Sequence, residues 1–260
     1  MTLCGSGRLS GLDNDSGNGS NWDRVDTMLT DLMTKVKLPR GIFVGGEFEG
    51  RQHSPLDRIL GEFDRALRTL AAPALGTRSN PARGLPEADL DAQARQHTAR
   101  LMRINHTGEI CAQALYQGQA LTARISANRE ALRGASAEEV DHLAWCEARI
   151  GELGGRTSFL NPLWYAGSLA LGVAAGLAGD RWSLAFLKET ERQVEGHLAG
   201  HLAQIPAADQ RTRAIVEQMK KDEAGHAELA QRLGAAELSS SLKWAMRLSS
   251  KLMTRSVYWV

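Results

Sequence analysis

From about Glu87 to the C-terminus, apolar residues recur at alternating steps of three and four, the spacing of one buried helical face. No segment keeps the every-second-residue alternation of a half-buried strand. Upstream, "SPLDRILGEFDRALRTL" opens the ordered part of the chain: Ser54 is placed to cap a helix and Pro55 to occupy its first position. "ALGTRSNPARGLP" reads as a loop. Later breaks fall at Gly134 with Ser136, at "GELGGRTSFLNP", at Gly179 with Asp180, at "IPAADQ" and at Gly234. Long helices with short connections predict an all-α bundle over residues 54–260. Residues 1–53, rich in Gly, Ser, Asn and Asp, read as a mobile N-terminal extension.

The stripes are interrupted where burial should be strictest. In "AIVEQMKKDEAGHAELAQRLG", Val216, Met219, Ala230 and Leu233 make one apolar face, and the positions that complete it are Glu223 and His226. An earlier helix carries the same pair in "EEVDHLAWCEAR", with Glu139 and His142 three apart. Thirty residues before Glu139 stands Glu109, on the stripe Asn105, Glu109, Ala112, Tyr116, Gln119. Thirty-two before Glu223 stands Glu191, on the stripe Leu184, Leu187, Glu191, Val194, Leu198, His201, Ile205. The order Glu, Glu-x-x-His, Glu, Glu-x-x-His, repeated at roughly eighty residues, describes a duplicated helical hairpin.

Four ionised carboxylates in one dry core would lose their hydration and repel each other, at several kcal/mol each. Either they bind protons or cations compensate them. Two divalent metals balance four carboxylates, and a set rich in oxygen with one imidazole per metal suits iron or manganese better than zinc or copper(I). A Glu from each of two helices plus Glu-x-x-His from each of two others is the signature of a ferritin-like di-metal bundle. Either pair alone has a plainer reading as a solvated surface pair, and Ser136 with Glu139 also spells a capping box. The complete set of six favours metal. His106, His197 and His201 are outer partners that orient ligands or ordinary packed histidines. Tyr116 either hydrogen-bonds beside the metals or simply fills core.

Composition narrows the function classes. Apolar residues at 43% suffice for a sizeable core, and 31 basic against 30 acidic residues leave a net charge of +1, which points to no nucleic-acid partner. Cys4, Cys111 and Cys146 are too few and scattered for a disulfide framework or a thiolate metal site. The N-terminus shows no basic-then-apolar secretory pattern, and its aspartates argue against a mitochondrial transit peptide.

Two segments suit a membrane. "NPLWYAGSLALGVAAGLAG", from Asn161 to Gly179, is free of charge and long enough to span. A span there would put the two halves of the metal site on opposite sides of a bilayer, so the segment reads as a helix lying on the membrane or buried in a core or oligomer interface. "SLKWAMRLSSKLMTRSVYWV" carries Lys243, Arg247, Lys251 and Arg255 at every fourth position, with Trp244 among its apolar residues. A basic amphipathic helix of this kind suits an anionic membrane surface.

Together "RINHTGEICAQALYQGQ", "EEVDHL", "ETERQV" and "DEAGHA" resemble the demethoxyubiquinone hydroxylase family of ubiquinone biosynthesis, from about Ser54 to the C-terminus. The resemblance places the family's iron ligands on Glu109, Glu139, His142, Glu191, Glu223 and His226, and a histidine close to the site on His197. Thr107 stands where Ala is commoner, and Leu198 where some members have Tyr. It implies a monooxygenase with two irons that hydroxylates a polyprenylated methoxy-methyl-benzoquinol with dioxygen. The electron donor is open between NADH, a reductase and the quinol itself. Expected partners are a membrane surface, a second copy of the chain and other ubiquinone-biosynthesis proteins. The expected place is the cytoplasmic face of a bacterial inner membrane. The rival reading is a ferritin-like iron-oxidising or storage protein without an organic substrate; a lipid carrier is a remote third.

Overall fold

Residues 55–260 are described by the computed structural model, and every element among them is a helix. The expected N-terminal extension and the Ser54 cap lie outside the described residues. The elements are α1 (Pro55–Ala71), α2 (Ala92–Thr122), α3 (Ser126–Glu152), α4 (Asn161–Leu177), α5 (Asp180–Leu202), α6 (Gln210–Arg232) and α7 (Ser240–Trp259). The described residues form an all-α, ferritin-like bundle: α2 pairs with α3, α5 with α6, and the two hairpins meet through α2 with α5 and α3 with α6.

Local chemistry sets the helix ends. Asp91 caps α2 by accepting from the Ala94 N–H, Asp209 caps α6 at Thr212, and Ser239 caps α7 at Leu242. Gly154 and Gly234 follow α3 and α6 with φ of 71° and 95°, a left-handed turn that only glycine adopts without strain.

The expected break at Gly134 with Ser136 does not occur. The chain turns earlier, at residues 123–125, and α3 then runs unbroken for 27 residues. The turn is fixed from a distance. The Asp180 carboxylate accepts from the backbone N–H groups of Arg124 and Ile125 at 3.0 and 2.9 Å, and from the Asn128 amide at 3.0 Å. Ser136 inside α3 bonds both ways to Gln113 of α2, its hydroxyl donating at 2.8 Å and its carbonyl accepting at 2.6 Å. That tertiary pairing holds a weak helix former in the helix, and Glu139 lies mid-helix rather than at a cap.

α4 is neither wholly buried nor a span. No helix among the described residues is long and apolar enough to cross a membrane. One face packs on α2 so closely that a Cβ at Gly118 would stand 2.5 Å from the Leu169 carbonyl oxygen, and one at Gly172 would strike the Leu115 backbone. The opposite face, including Leu163, Ala166, Ala170, Leu171 and Leu177, is exposed and uncharged. Along α1, Ala66 and Leu70 pack toward Ile110 and Leu143, while Leu56, Leu60, Phe63 and Leu67 face outward.

At one end of the bundle the guanidinium of Arg149 is fully buried. It bonds Glu87 through both terminal nitrogens at 2.7 and 2.9 Å, Asp209 at 2.9 Å and Thr212 at 2.7 Å. It thus ties the end of α3 to the start of α6 and to the segment before α2.

Candidate metal centre

Four helices each contribute to one buried cluster. α2 supplies Glu109, α3 Glu139 and His142, α5 Glu191, and α6 Glu223 and His226; all six are buried, and only His226 exceeds 2% exposure, at 6%. A three-residue step turns a helix by about 300°, so the carboxylate and imidazole of each Glu-x-x-His pair emerge side by side. The donor atoms form two overlapping groups, Glu109, Glu139, His142 and Glu223 in one, Glu191, Glu223 and His226 in the other, each within 4.8 Å of one another.

Two carboxylates sit centrally. Glu139 lies 2.8 Å from His142 Nδ1 and 3.0 Å from His226 Nδ1, and Glu223 is 3.5 Å from each. Glu109 lies 3.6 Å from His142 Nδ1. At the other end the Tyr116 hydroxyl donates to Glu191 Oε1 at 2.8 Å.

These short contacts lack hydrogen-bond direction. Both Glu139 oxygens, His142 Nδ1, Glu223 Oε2 and His226 Nδ1 are buried without a hydrogen-bond partner. Buried polar atoms are normally satisfied. Lone pairs that converge on shared space without bonding each other are what a cation needs, so the residues present fit a metal pair.

The imidazoles are held from outside by acids of the opposite hairpin. Asp222 on α6 accepts from His142 Nε2 on α3 at 3.0 Å, and Glu138 on α3 meets His226 Nε2 on α6 at 3.3 Å. Such a carboxylate fixes the tautomer and leaves Nδ1 as the donor. Each acid immediately precedes the Glu of its own Glu-x-x-His, so the sequence carries the signal as a doubled acid, "EE" at 138–139 and "DE" at 222–223. Neither Glu138 nor Asp222 is among the sequence candidates. Asp222 is itself held by Arg78 at 2.8 Å and Gln218 at 2.8 Å, and Arg78 stacks over Trp145, which packs against His142.

Burial and the neighbouring charges set the proton affinities within the cluster. Burial first, then the Glu139 charge, pushes the Glu109 carboxyl well above the usual range; burial first, then Glu223, does the same to Glu191. Burial opposes charge on Glu139, yet His142 and His226 hold it down. Burial likewise opposes charge on His226, but Glu139 and Glu223 push it up to about 12. Asp222, despite its burial, is lowered to about 2 by His142 and Arg78.

The other sequence candidates divide. Tyr116 joins the cluster through Glu191. His106 turns to Glu147 at 3.3 Å, and His197 packs edge-on against His201, whose Nδ1 meets Asn105 at 2.7 Å. On α7, Trp244, Arg247, Lys251 and Arg255 are exposed, whereas Lys243 turns to Glu189 and Glu237 at 3.7 and 3.5 Å.

Comparison with known proteins agrees with this geometry. Residues 96–257 match the family profile described as ubiquinone biosynthesis protein COQ7. The chain is 62% identical over 203 residues to the 3-demethoxyubiquinol 3-hydroxylase of Chromobacterium violaceum, covering 78% of this chain and 98% of that protein. It is 62% identical over 202 residues to the protein of that name from Dechloromonas aromatica, with 78% and 98% covered. To the one from Nitrosomonas europaea it is 58% identical over 205 residues, with 79% and 99% covered.

Proposed function

Because the chain belongs to the COQ7 family of ubiquinone biosynthesis proteins, we propose that it hydroxylates the ring of a demethoxyubiquinol with dioxygen, using two iron ions held by Glu109, Glu139, His142, Glu191, Glu223 and His226. The observation that carries the metal assignment is the set of buried, partnerless donor atoms converging from four helices. Glu139 and Glu223, the carboxylates that approach both imidazoles, would help to hold both ions. Glu109 and His142 would add to the holding at one end, and Glu191 and His226 at the other. An oxygen-rich set with one imidazole per ion suits iron or manganese ahead of zinc or copper(I), and the hydroxylase reading, which needs redox chemistry with dioxygen, favours iron.

Iron held there would supply the redox chemistry that activates dioxygen; with two electrons from a reductant and two protons, one oxygen atom would go to the ring and the other would leave as water. The chain's own residues hold and shield. Asp222 and Glu138 keep the imidazole Nδ1 atoms turned inward. Tyr116 keeps its proton, donates it as a hydrogen bond to the Glu191 carboxylate and so orients that group. Its own acidity is suppressed by burial and then by Glu191, so it is a hydrogen-bond donor rather than a phenolate. Ala112, Leu184, Leu187 and Ala230 form an apolar wall that excludes water.

A polyprenyl tail requires a lipid surface, and a peripheral seat on the cytoplasmic face of a bacterial inner membrane fits the exposed faces. α4 offers uncharged apolar surface, and α7 offers Trp244, Leu248 and Leu252 among Arg247, Lys251 and Arg255. The segment before α4 touches the end of α7: Arg156 stacks on the exposed Phe159 at 4.2 Å and reaches the Val260 carbonyl at 3.5 Å, beside the exposed Trp259.

The test supplies iron-loaded protein with a reductant, a short-tailed demethoxyquinone and oxygen-18 gas, followed by mass spectrometry. The expected product carries one heavy oxygen on the ring. Oxygen consumption with the quinone unchanged would overturn the hydroxylase and leave an iron-oxidising protein.

A further inference from the structure

Three arginines gather around the end of α7. Arg103 of α2 is 8% exposed; its Nε donates to the Arg156 carbonyl at 2.7 Å and its Nη1 reaches the Tyr258 carbonyl at 3.5 Å, while its Nη2 bonds no protein group. Arg100, one turn earlier on α2, lies over the rings of Tyr258 and Trp259 at 5.1 and 4.7 Å. Arg156, in the segment before α4, stacks on Phe159 at 4.2 Å and reaches the Val260 carbonyl at 3.5 Å. Among the described residues no acid is ion-paired with any of the three. A buried cation is normally paired. Here its neighbours add to the charge instead: burial first, then Arg156 and Arg100, lowers the Arg103 guanidinium below its ordinary range. Even a carboxylate at Val260, set against three guanidiniums, would leave two positive charges in excess. The surface around them is apolar: Phe159 and Trp259 are exposed, and so is Leu163, one turn beyond Phe159.

We infer that this corner is a binding site for the phosphate of an anionic phospholipid headgroup, taken among Arg100, Arg103 and Arg156 with the lipid's chains against Phe159, Leu163 and Trp259. The inference rests on the membrane seat and deepens it. Diffuse charge along α7 attracts any anionic surface, whereas three converging guanidiniums make a site of one-to-one stoichiometry. A guanidinium fork bonds two phosphate oxygens at once and gives up its water cheaply. The rings of Phe159, Tyr258 and Trp259 already hold two of the forks in place by cation–π contact, so little ordering is left to do on binding. A free phosphate ester would satisfy the charge and leave the apolar rim in water. A lipid covers both, and each square ångström of covered apolar surface favours it.

The test titrates full-length protein by calorimetry with dihexanoyl phosphatidylglycerol below its micelle concentration, and with glycerol 3-phosphate as the probe without tails. Flotation with phosphatidylglycerol vesicles runs beside it. Wild-type protein is expected to bind the soluble lipid saturably at one site, and glycerol 3-phosphate more weakly. Arg156→Gln and Arg100→Gln leave the buried Arg103 in place. Each is expected to weaken the lipid by about tenfold or more, the worth of a charge-assisted hydrogen bond, with the melting temperature unchanged. Arg156→Lys keeps the charge and loses the fork, and is expected to recover only part of that affinity. No saturable binding by wild-type protein, undiminished affinity in both Gln variants, or full affinity in Arg156→Lys would overturn the site while wild-type flotation keeps the membrane seat. Glycerol 3-phosphate bound as tightly as the lipid would overturn the lipid as ligand in favour of a free phosphate ester. Wild-type protein that takes up neither the soluble lipid nor the vesicles would overturn the seat as well.

Discussion

At the residue scale, the outer acids are the sharpest handle on the site. Asp222→Ala removes the group that fixes His142, and a lost outer partner of this kind typically costs 10–100-fold in metal affinity. Iron titration with a competing chelator should show that loss in Asp222→Ala, and a smaller one in Glu138→Ala because Glu138 is half exposed. His201 carries a separate prediction. Burial, then the neighbouring His197, lowers it to about 3, so the folded chain holds it neutral while the unfolded chain takes a proton near 6.5. A depressed folded value means that stability is lost as pH falls: nothing above 6.5, then a decline that reaches about 2 kcal/mol by pH 5. Denaturant titrations from pH 7 to 4 should show a shallower acid limb in His201→Gln. The six central residues were legible in the sequence because a helix converts spacing into facing, and apolar neighbours declare which face is inward. Asp222 and Glu138 were not, because an acid on the flank of a motif looks the same whether it meets water or a histidine eighty residues away.

At the element scale, contacts between helices decided what periodicity could not. Gly134 and Ser136 weaken a helix locally, yet Gln113 carries α3 through them, and the turn goes where Asp180 reaches the backbone at Arg124 and Ile125. No local pattern at residues 123–125 announces a cap that arrives from fifty-five residues further on. α4 teaches the same lesson. Its uniform apolarity hid a division into a glycine face against α2 and a leucine face outward. Gly172→Ala should therefore be far costlier than its chemistry suggests. The added methyl meets backbone that cannot rotate away, and overpacking of this kind costs about 1–3 kcal/mol. With a shift of roughly 2–4 °C per kcal/mol for a domain of this size, calorimetry should find the melting temperature lowered by about 2–12 °C. Gly167→Ala, on the open face, should leave it unchanged.

At the scale of the whole molecule, the bundle encloses the donor cluster at its middle and the Arg149 network at one end, and α4 and α7 offer apolar surface outside. Arg149→Ala strands Asp209 in a dry site, and breaking a buried pair in this way costs about 3–5 kcal/mol; the destabilised protein should retain its iron-binding residues but unfold at markedly lower denaturant. Replacing Arg247, Lys251 and Arg255 together by Gln should weaken binding to phosphatidylglycerol vesicles about a hundredfold, at roughly 1 kcal/mol for each cation near an anionic surface, with binding to neutral vesicles unchanged in a flotation assay. Because Lys243 is tied to Glu189 and Glu237, its replacement should matter less. The crossed pairing of Asp222 with His142 and Glu138 with His226 has a consequence in time as well as in space. Either hairpin alone holds an imidazole with no acid to aim it and lacks one of the two shared carboxylates. A nascent chain with only α2 and α3 formed is therefore a poor trap for iron, and high-affinity capture waits until α6 has docked. A metal bound at this cluster would arrive last, into a chamber whose walls are already closed.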